Sequence, residues 1–64
     1  METRDMIIEV VYETKEGLFP LEIAASVEKK YGVHLTTRDV EKVIDKNKKL
    51  FVEEKGKFKS PDHY

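Results

Sequence analysis

Apolar positions recur at helical spacing in three stretches of the chain, and the first stretch predicts a helix over residues 4–15 with Thr3 as its N-cap. One face of this helix carries Met6, Ile7, Val10 and Val11. Ile8 and Tyr12 lie four residues apart on a second face. A helix that is apolar on two sides is expected to lie centrally and to contact more than one neighbour. The alternative is that Ile8 and Tyr12 form the interface of a homodimer.

The second stretch predicts a helix over residues 20–31, because Pro20 suits the first helical position and Gly32 suits the position just after the end. Its predicted buried stripe consists of Leu21, Ala24, Val27 and Tyr31, with Ile23 at the edge. Between the two helices, Leu18 and Phe19 follow a glycine and are consistent with a very short strand.

The third stretch carries the clearest start signal and predicts a helix over residues 37–49. Thr36 is the predicted N-cap, and Asp39 three residues later completes an approximate capping box. The side that faces the core is predicted to carry Val40, Val43, Ile44 and Asn47. At about 100° per residue, the opposite side carries Arg38, Lys42, Asp45 and Lys49, with Lys46 close by.

The C-terminal stretch "LFVEEKGKFKSP" predicts a two-stranded β-hairpin over residues 51–59. A three-residue loop over residues 54–56 would pair Val52 with Phe58 and would place Gly56 in the left-handed conformation. The predicted fold class is therefore α+β, mostly α, with three helices, a C-terminal hairpin and one short strand after the first helix.

Length and composition indicate one small domain rather than a disordered, secreted or membrane chain. The 64 residues predict a single domain over residues 1–64 that buries only about 60% of its unfolded surface. The apolar residues are periodically spaced, which argues against disorder. The chain has no cysteine, and no apolar run approaches the roughly 18 residues of a membrane span. The acidic N-terminus lacks the basic start of a signal peptide, so we expect a cytoplasmic protein, or a nuclear one in a eukaryote.

The net charge of −1 conceals an asymmetry along the chain. Residues 1–20 carry two bases against five acids, a net charge of −3. Residues 36–59 carry eight bases against five acids, a net charge of +3. A polyanion would therefore meet one positive end of the molecule.

The order of helix, short strand, helix, turn, helix and hairpin resembles that of the winged helix-turn-helix domain. The likeness rests on "FPLEIAASVEKKYG", "LTTRDVEKVIDK" and "LFVEEKGKFK", which together cover most of the chain. The stretch "VEKKYGVHLTTRDVEKVID" is also similar to the helical pair of LOTUS-type winged helices, which are associated with RNA and with helicases. It is similar as well to the DEK-type C-terminal domain, which lacks a wing. The turn over residues 32–35 is slightly longer than in the simplest helix-turn-helix pattern.

The winged-helix resemblance implies a DNA-binding regulator, with the third helix in the major groove of double-stranded DNA and the hairpin wing on the backbone. Thr37 and Arg38 would then contact bases, because arginine can bond guanine through two hydrogen bonds. Thr36 would hold the start of the helix. The phosphate contacts would come from Lys42, Lys46 and Lys49 on the helix and from Lys55 and Lys57 on the wing.

Other interpretations of the same charges remain open. They can form an ordinary solvated face, since Asp45 can pair with Lys49, and Arg38 with Glu41, along the helix. The winged helix would then be a protein–protein interaction module, or an RNA-binding module of the LOTUS type, in a larger assembly. A free-standing DNA-binding protein would instead be expected to form a homodimer through the first helix.

Nothing in the sequence indicates catalysis, a cofactor or a metal site. His34 and His63 are far apart in sequence, and Ser26 and Ser60 have no nearby candidate base. The three glycines form no phosphate-binding loop. We therefore expect a non-enzymatic protein that needs neither a cofactor nor a metal ion.

Overall fold

The computed structural model describes residues 2–63, apart from the side chain of His63. Three helices precede an antiparallel hairpin, in the order α1 (Thr3–Tyr12), α2 (Pro20–Tyr31), α3 (Thr37–Lys46), β1 (Val52–Glu54) and β2 (Lys57–Lys59). Short 3₁₀ turns occupy Lys48–Leu50 and Pro61–His63. This arrangement confirms the predicted fold class, which is α+β, mostly α, with a winged-helix layout.

Both ends of α1 differ from the prediction. The N-cap is Glu2 rather than Thr3, because the Glu2 carbonyl oxygen already accepts the first helical hydrogen bond, from the Met6 N–H at 3.1 Å. Thr3 is therefore the first residue of the helix. The helix ends at Tyr12, since residues 13–16 present no apolar face that a further turn would bury.

The core forms where the apolar face of α1 meets α2 and α3. Five of its side chains have no exposed surface, namely Ile7, Val11, Ile23, Val27 and Val40. Ile8 and Tyr12 are half-buried and pack against this core. The Tyr12 hydroxyl donates a hydrogen bond to the Leu50 carbonyl oxygen at 2.8 Å, and the Tyr12 ring meets the Phe51 ring edge-on. The second apolar face of α1 therefore stabilises the monomer by holding the segment that follows α3.

The buried face of α2 is rotated relative to the prediction. Ile23, Ala24 and Val27 are its buried residues, whereas Leu21 is 69% exposed. Ile23 is central to the stripe rather than at its edge, and Leu21 lies about 200° away from it around the helix axis. The packing against α1 decides between two apolar faces of α2 that periodicity alone does not rank.

The third helix ends three residues earlier than predicted, at Lys46. The Asn47 side-chain amide donates a hydrogen bond to the Val43 carbonyl oxygen at 2.8 Å. The Asn47 backbone N–H donates instead to the Ile44 carbonyl oxygen at 3.0 Å. This arrangement occupies the carbonyl that the next helical bond would need, so the chain continues as a 3₁₀ turn. Ile44 is buried, but Val43 is only half-buried.

The hairpin register is one residue away from the predicted one. Val52 pairs with Lys59 and Glu53 pairs with Phe58, so the predicted pair of Val52 and Phe58 was wrong. The loop has two residues, Lys55 and Gly56, with φ of 53° and 83°. Two consecutive positive φ values are typical of a type I′ turn, whose twist matches that of paired strands better than the three-residue loop does.

A single β-bridge ties the hairpin to the loop between α1 and α2. Of the predicted short strand, only Leu18 forms this bridge, and Phe19 is already the N-cap of α2. The Leu18 N–H donates to the Phe58 carbonyl oxygen at 2.9 Å, and the Phe58 N–H donates to the Leu18 carbonyl oxygen at 2.8 Å. Gly17 precedes this bridge with φ of 87°, and a Cβ there would lie 3.1 Å from the Lys57 Cβ. A residue without a side chain thus lets β2 approach the loop between α1 and α2.

Val40→Ala should lower the free energy of unfolding by about 2 kcal/mol, because it removes fully buried methyl groups and opens a cavity in a small core. Val43→Ala should cost clearly less, since Val43 is only half-buried. Urea denaturation followed by circular dichroism measures both effects. Equal costs for the two variants would mean that α3 is rotated relative to this packing.

Candidate nucleic-acid interface

The start of α3 is fixed by reciprocal hydrogen bonds between Thr36 and Asp39, as the sequence predicts. The Asp39 N–H donates to the Thr36 hydroxyl oxygen at 3.1 Å, and the Thr36 N–H donates to the Asp39 carboxylate at 3.0 Å. The hydrogen bond from the Thr36 N–H, and after it the Thr36 hydroxyl, hold the pKa of Asp39 below its ordinary value of 3.8. A carboxylate that is charged at neutral pH therefore occupies the N-terminus of α3 and stabilises the helix there.

The outward side of α3 carries a row of bases, which we call the basic ridge: Arg38, Lys42, Lys46 and, just beyond the helix end, Lys49. All four side chains are exposed. Successive members on the helix are four residues apart, so each is rotated by only about 40° from the last. Within residues 2–63 none of the four forms an ion pair, whereas Lys30, for example, pairs with Glu13. The ridge therefore presents concentrated positive charge to solvent.

The two helix-surface pairs expected of a merely solvated face do not form between the described residues. Asp45 lies 3.9 Å from Lys48 instead of pairing with Lys49. Lys49 belongs to the 3₁₀ turn, where the i,i+4 geometry of a continuous helix no longer applies. Arg38 makes no ion pair with Glu41.

The wing lysines are placed differently from one another. Lys55 is exposed in the turn of the hairpin. The Lys57 ammonium lies over the Phe19 ring, 5.3 Å from the ring centroid, a cation–π contact that restrains the side chain without removing its charge. Lys59 pairs with Glu54 at 3.0 Å and is largely covered. The wing tip therefore offers one exposed base, Lys55, and one restrained base, Lys57.

A groove of about 640 Å³, which we call the wing groove, lies between α3 and the hairpin. Three acidic residues line it, Glu41 and Asp45 from α3 and Glu53 from β1. The two helix residues occupy the flank of α3 between the basic ridge and the wing. A polyanion that spanned both basic groups would pass these acids, so the ridge and the wing do not form one continuous positive surface.

Sequence reasoning did not identify the wing groove. Glu41 and Asp45 are four residues apart, so periodicity alone places them on one flank of α3. Glu53 joins them only through the hairpin register and the bridge between Leu18 and Phe58. No local pattern determines how the hairpin packs, so this third acid could be placed only by the structure.

Comparison of the chain with family models, with curated proteins and with solved structures finds no match in any of the three. Across residues 2–63, no helix is both long enough and apolar enough to cross a membrane. The same residues contain no group of three or more histidine, aspartate or glutamate side chains placed to hold a metal ion. His34 lies beside Glu28 at 2.6 Å, and the side chain of His63 is outside the described residues. The basic ridge and the wing groove are therefore the features on which a functional assignment depends.

Asp39→Asn should lower the thermal unfolding midpoint at about pH 6, because a neutral amide accepts the Thr36 N–H less strongly and loses its attraction to the helix dipole. The folded state lowers the pKa of Asp39 below its ordinary value of 3.8. The extra stability of the wild-type protein is therefore complete at pH values above 3.8 and disappears as the pH falls through the pKa of Asp39 in the folded state. Thermal unfolding at about pH 6 and about pH 2.5 measures the gap between the two proteins. A gap of the same size at both pH values would show that the Asp39 charge does not stabilise α3.

Proposed function

We propose that this protein binds nucleic acid through the basic ridge of α3, with double-stranded DNA as the ligand and regulation of transcription as the role. The observation that carries the proposal is the set of four exposed bases on one side of α3, unpaired within the described residues. Among the other described residues, Lys15 and Lys29 are also exposed without an ion pair, but neither belongs to such a row. A linear array of this kind matches a ligand whose negative charges repeat along an axis.

The dimensions of α3 suit a major groove. An α-helix with its side chains is about 10–12 Å across, and the major groove of B-DNA is about 12 Å wide, so the exposed side of α3 can enter it. Arg38 lies in the first turn, which is the part of a recognition helix that meets base edges. In this proposal Arg38 bonds guanine through its two-pronged guanidinium group, and the half-buried Thr37 supplies a hydroxyl beside it.

The remaining ridge residues are assigned to the phosphate backbone. Lys42, Lys46 and Lys49 follow Arg38 toward the far end of the helix, where each would neutralise a phosphate. Thr36 holds the helix start through its capping bonds. The charged Asp39 carboxylate opposes a phosphate at that helix terminus, so the contacts are expected along the side of α3 rather than at its end.

The wing is assigned a smaller share of the binding. Lys55 is positioned to contact a phosphate from the turn, and Lys57 adds its charge from above Phe19. Glu53 and Glu54 are exposed on the same hairpin and offset much of that attraction. The three phosphate contacts of the ridge, from Lys42, Lys46 and Lys49, alone predict a slope of about −2.7 for the logarithm of affinity against the logarithm of salt concentration.

A module of this size provides limited specificity, so the functional unit in this proposal is a dimer or a longer protein. A homodimer through α1 would rely on Ile8 more than on Tyr12, whose hydroxyl and ring are already engaged within the monomer. The proposed role places the protein in the cytoplasm, or in the nucleus of a eukaryote.

Lys42→Glu combined with Lys46→Glu should abolish binding to a short DNA duplex, because two phosphate contacts become repulsive. Lys15→Glu combined with Lys29→Glu makes the same change in net charge away from α3 and should weaken binding by less than about threefold at moderate salt, where screening removes distant charges. Fluorescence anisotropy with a labelled duplex at about 50 mM and about 200 mM salt measures both the affinities and the salt slope.

Equal losses for the two double variants would show that binding follows net charge and not the ridge. No binding of the unmodified protein at the lower salt concentration would contradict the proposal and favour a protein-interaction module. Tighter binding to a single-stranded RNA of the same length, titrated in parallel, would favour the RNA-binding alternative.

A further inference from the structure

The wing groove has an apolar floor and an acidic rim. Ile44 and Phe51 are almost completely buried at its base, and Pro20 and Phe58 contribute half-buried surface to its wall. The acidic residues Glu41, Asp45 and Glu53 line the same space. A concave apolar surface with a few charged groups at its edge has the composition of a ligand-binding site.

Large apolar side chains are also exposed at the start of α2, next to the Pro20 that lines the groove. Within the described residues, the large apolar side chains that are mostly or substantially exposed are Leu21, at 69%, and Phe19, at 43%. Pro20 lies between them in sequence and lines the groove, and the Phe19 ring packs beside Gly56 of the wing turn. Exposed apolar side chains next to an apolar groove enlarge the surface that a partner can cover.

The charge of the groove determines the class of its occupant. Three acids and one base, Lys48, line the groove itself, and Lys48 approaches these acids only through a long 3.9 Å contact with Asp45. Both partners of that contact are well exposed, so it neutralises the rim only weakly. Lys57 adds one positive charge outside this lining, over the Phe19 ring. The remaining negative charge repels nucleic acid and attracts a cationic group. A ligand that matches both the acidic rim and the apolar floor of the groove therefore combines a positive charge with neighbouring apolar side chains.

We propose that the wing groove, together with Phe19 and Leu21, binds an extended segment of a partner protein in which an arginine lies next to bulky apolar residues. The guanidinium group would bond the carboxylates of the rim, because its planar fork matches a carboxylate in two-point geometry and stacks on apolar or aromatic surface. The apolar neighbours of that arginine would cover Leu21 and the part of the Phe19 ring that Lys57 leaves exposed. This surface has the opposite charge to the basic ridge, so the inference goes beyond the proposed nucleic-acid binding and does not require it.

Panning the full 64-residue chain against a phage-displayed library of random peptides tests this proposal directly. The expected result is enrichment of peptides that carry arginine beside leucine, isoleucine or an aromatic residue. A synthetic peptide of the enriched sequence is then titrated into the protein. Replacing its arginine by citrulline, which keeps the shape and removes the charge, should weaken binding about tenfold if two rim carboxylates are engaged.

Variants of the protein then locate the site. Glu41→Gln combined with Glu53→Gln should weaken peptide binding about tenfold, whereas Glu9→Gln combined with Glu16→Gln, the same change in charge on exposed acids of the α1 side, should leave it within about twofold. Leu21→Ser should weaken it several-fold with little effect on folding, because Leu21 is already mostly exposed. Lys46→Gln should leave peptide binding unchanged and weaken only nucleic-acid binding.

Three outcomes would overturn the proposal. One is the absence of any enriched peptide, and another is enrichment of peptides without a basic residue. The third is a loss of peptide binding in the Glu9 and Glu16 control that is as large as the loss in the groove variant.

Sedimentation equilibrium of the unmodified protein tests whether the groove instead binds a second copy of this chain. Self-association that Leu21→Ser abolishes would assign the groove to that second copy and overturn the proposal. Failure of DNA binding alone would leave the groove result unaffected.

Discussion

Burial of the apolar side of α3 against α1 and α2 is the interaction on which the rest of the structure depends. The side chain of Val40 has no exposed surface, and that of Ile44 is only 5% exposed. Removing each of these side chains from water stabilises the fold by about 1.5–3 kcal/mol. A domain of this length has a total stability of roughly 3–10 kcal/mol. Rotating α3 would therefore expose a large share of what stabilises the fold, and this fixes Arg38, Lys42 and Lys46 on the outside.

The position of the hairpin relative to α3 depends on how the hairpin is attached to the rest of the fold. Two hydrogen bonds between Leu18 and Phe58 attach β2 to the loop between α1 and α2, on the edge of β2 that does not pair with β1. Phe51 is buried against the Tyr12 ring and fixes the entry to β1. A two-stranded hairpin alone is marginally stable, so these two attachments determine where the wing stands relative to α3. The wing groove is a consequence of that placement, since its walls come from segments that share no local sequence pattern.

The predictions from sequence succeed where a local rule determines the structure and fail where packing chooses between alternatives. Thr36 and Asp39 form the predicted capping box, because both partners lie within one turn of the chain. On α2, Ala24 and Val27 are buried as predicted, but Leu21 was wrongly placed in the buried stripe and Ile23 at its edge. Both satisfy helical periodicity, and only packing against the neighbouring helices separates them. The hairpin register was wrong by one residue, because a two-residue loop and a three-residue loop both fit the glycine in "EKGK".

The distribution of charge around α3, and not the net charge of −1, governs what this helix can bind. The molecule is 28 Å in its longest dimension and 20 Å in the others, whereas electrostatic interactions in physiological salt decay over about 8 Å. The acids of α1 on the opposite side of the core are therefore screened from a ligand on the basic ridge. Glu41 and Asp45 lie on the adjacent flank of the same helix and are not screened in this way. The affinity of the ridge for a polyanion thus depends on how far that ligand stays from the wing groove, which favours an approach along the ridge over one that also spans the wing.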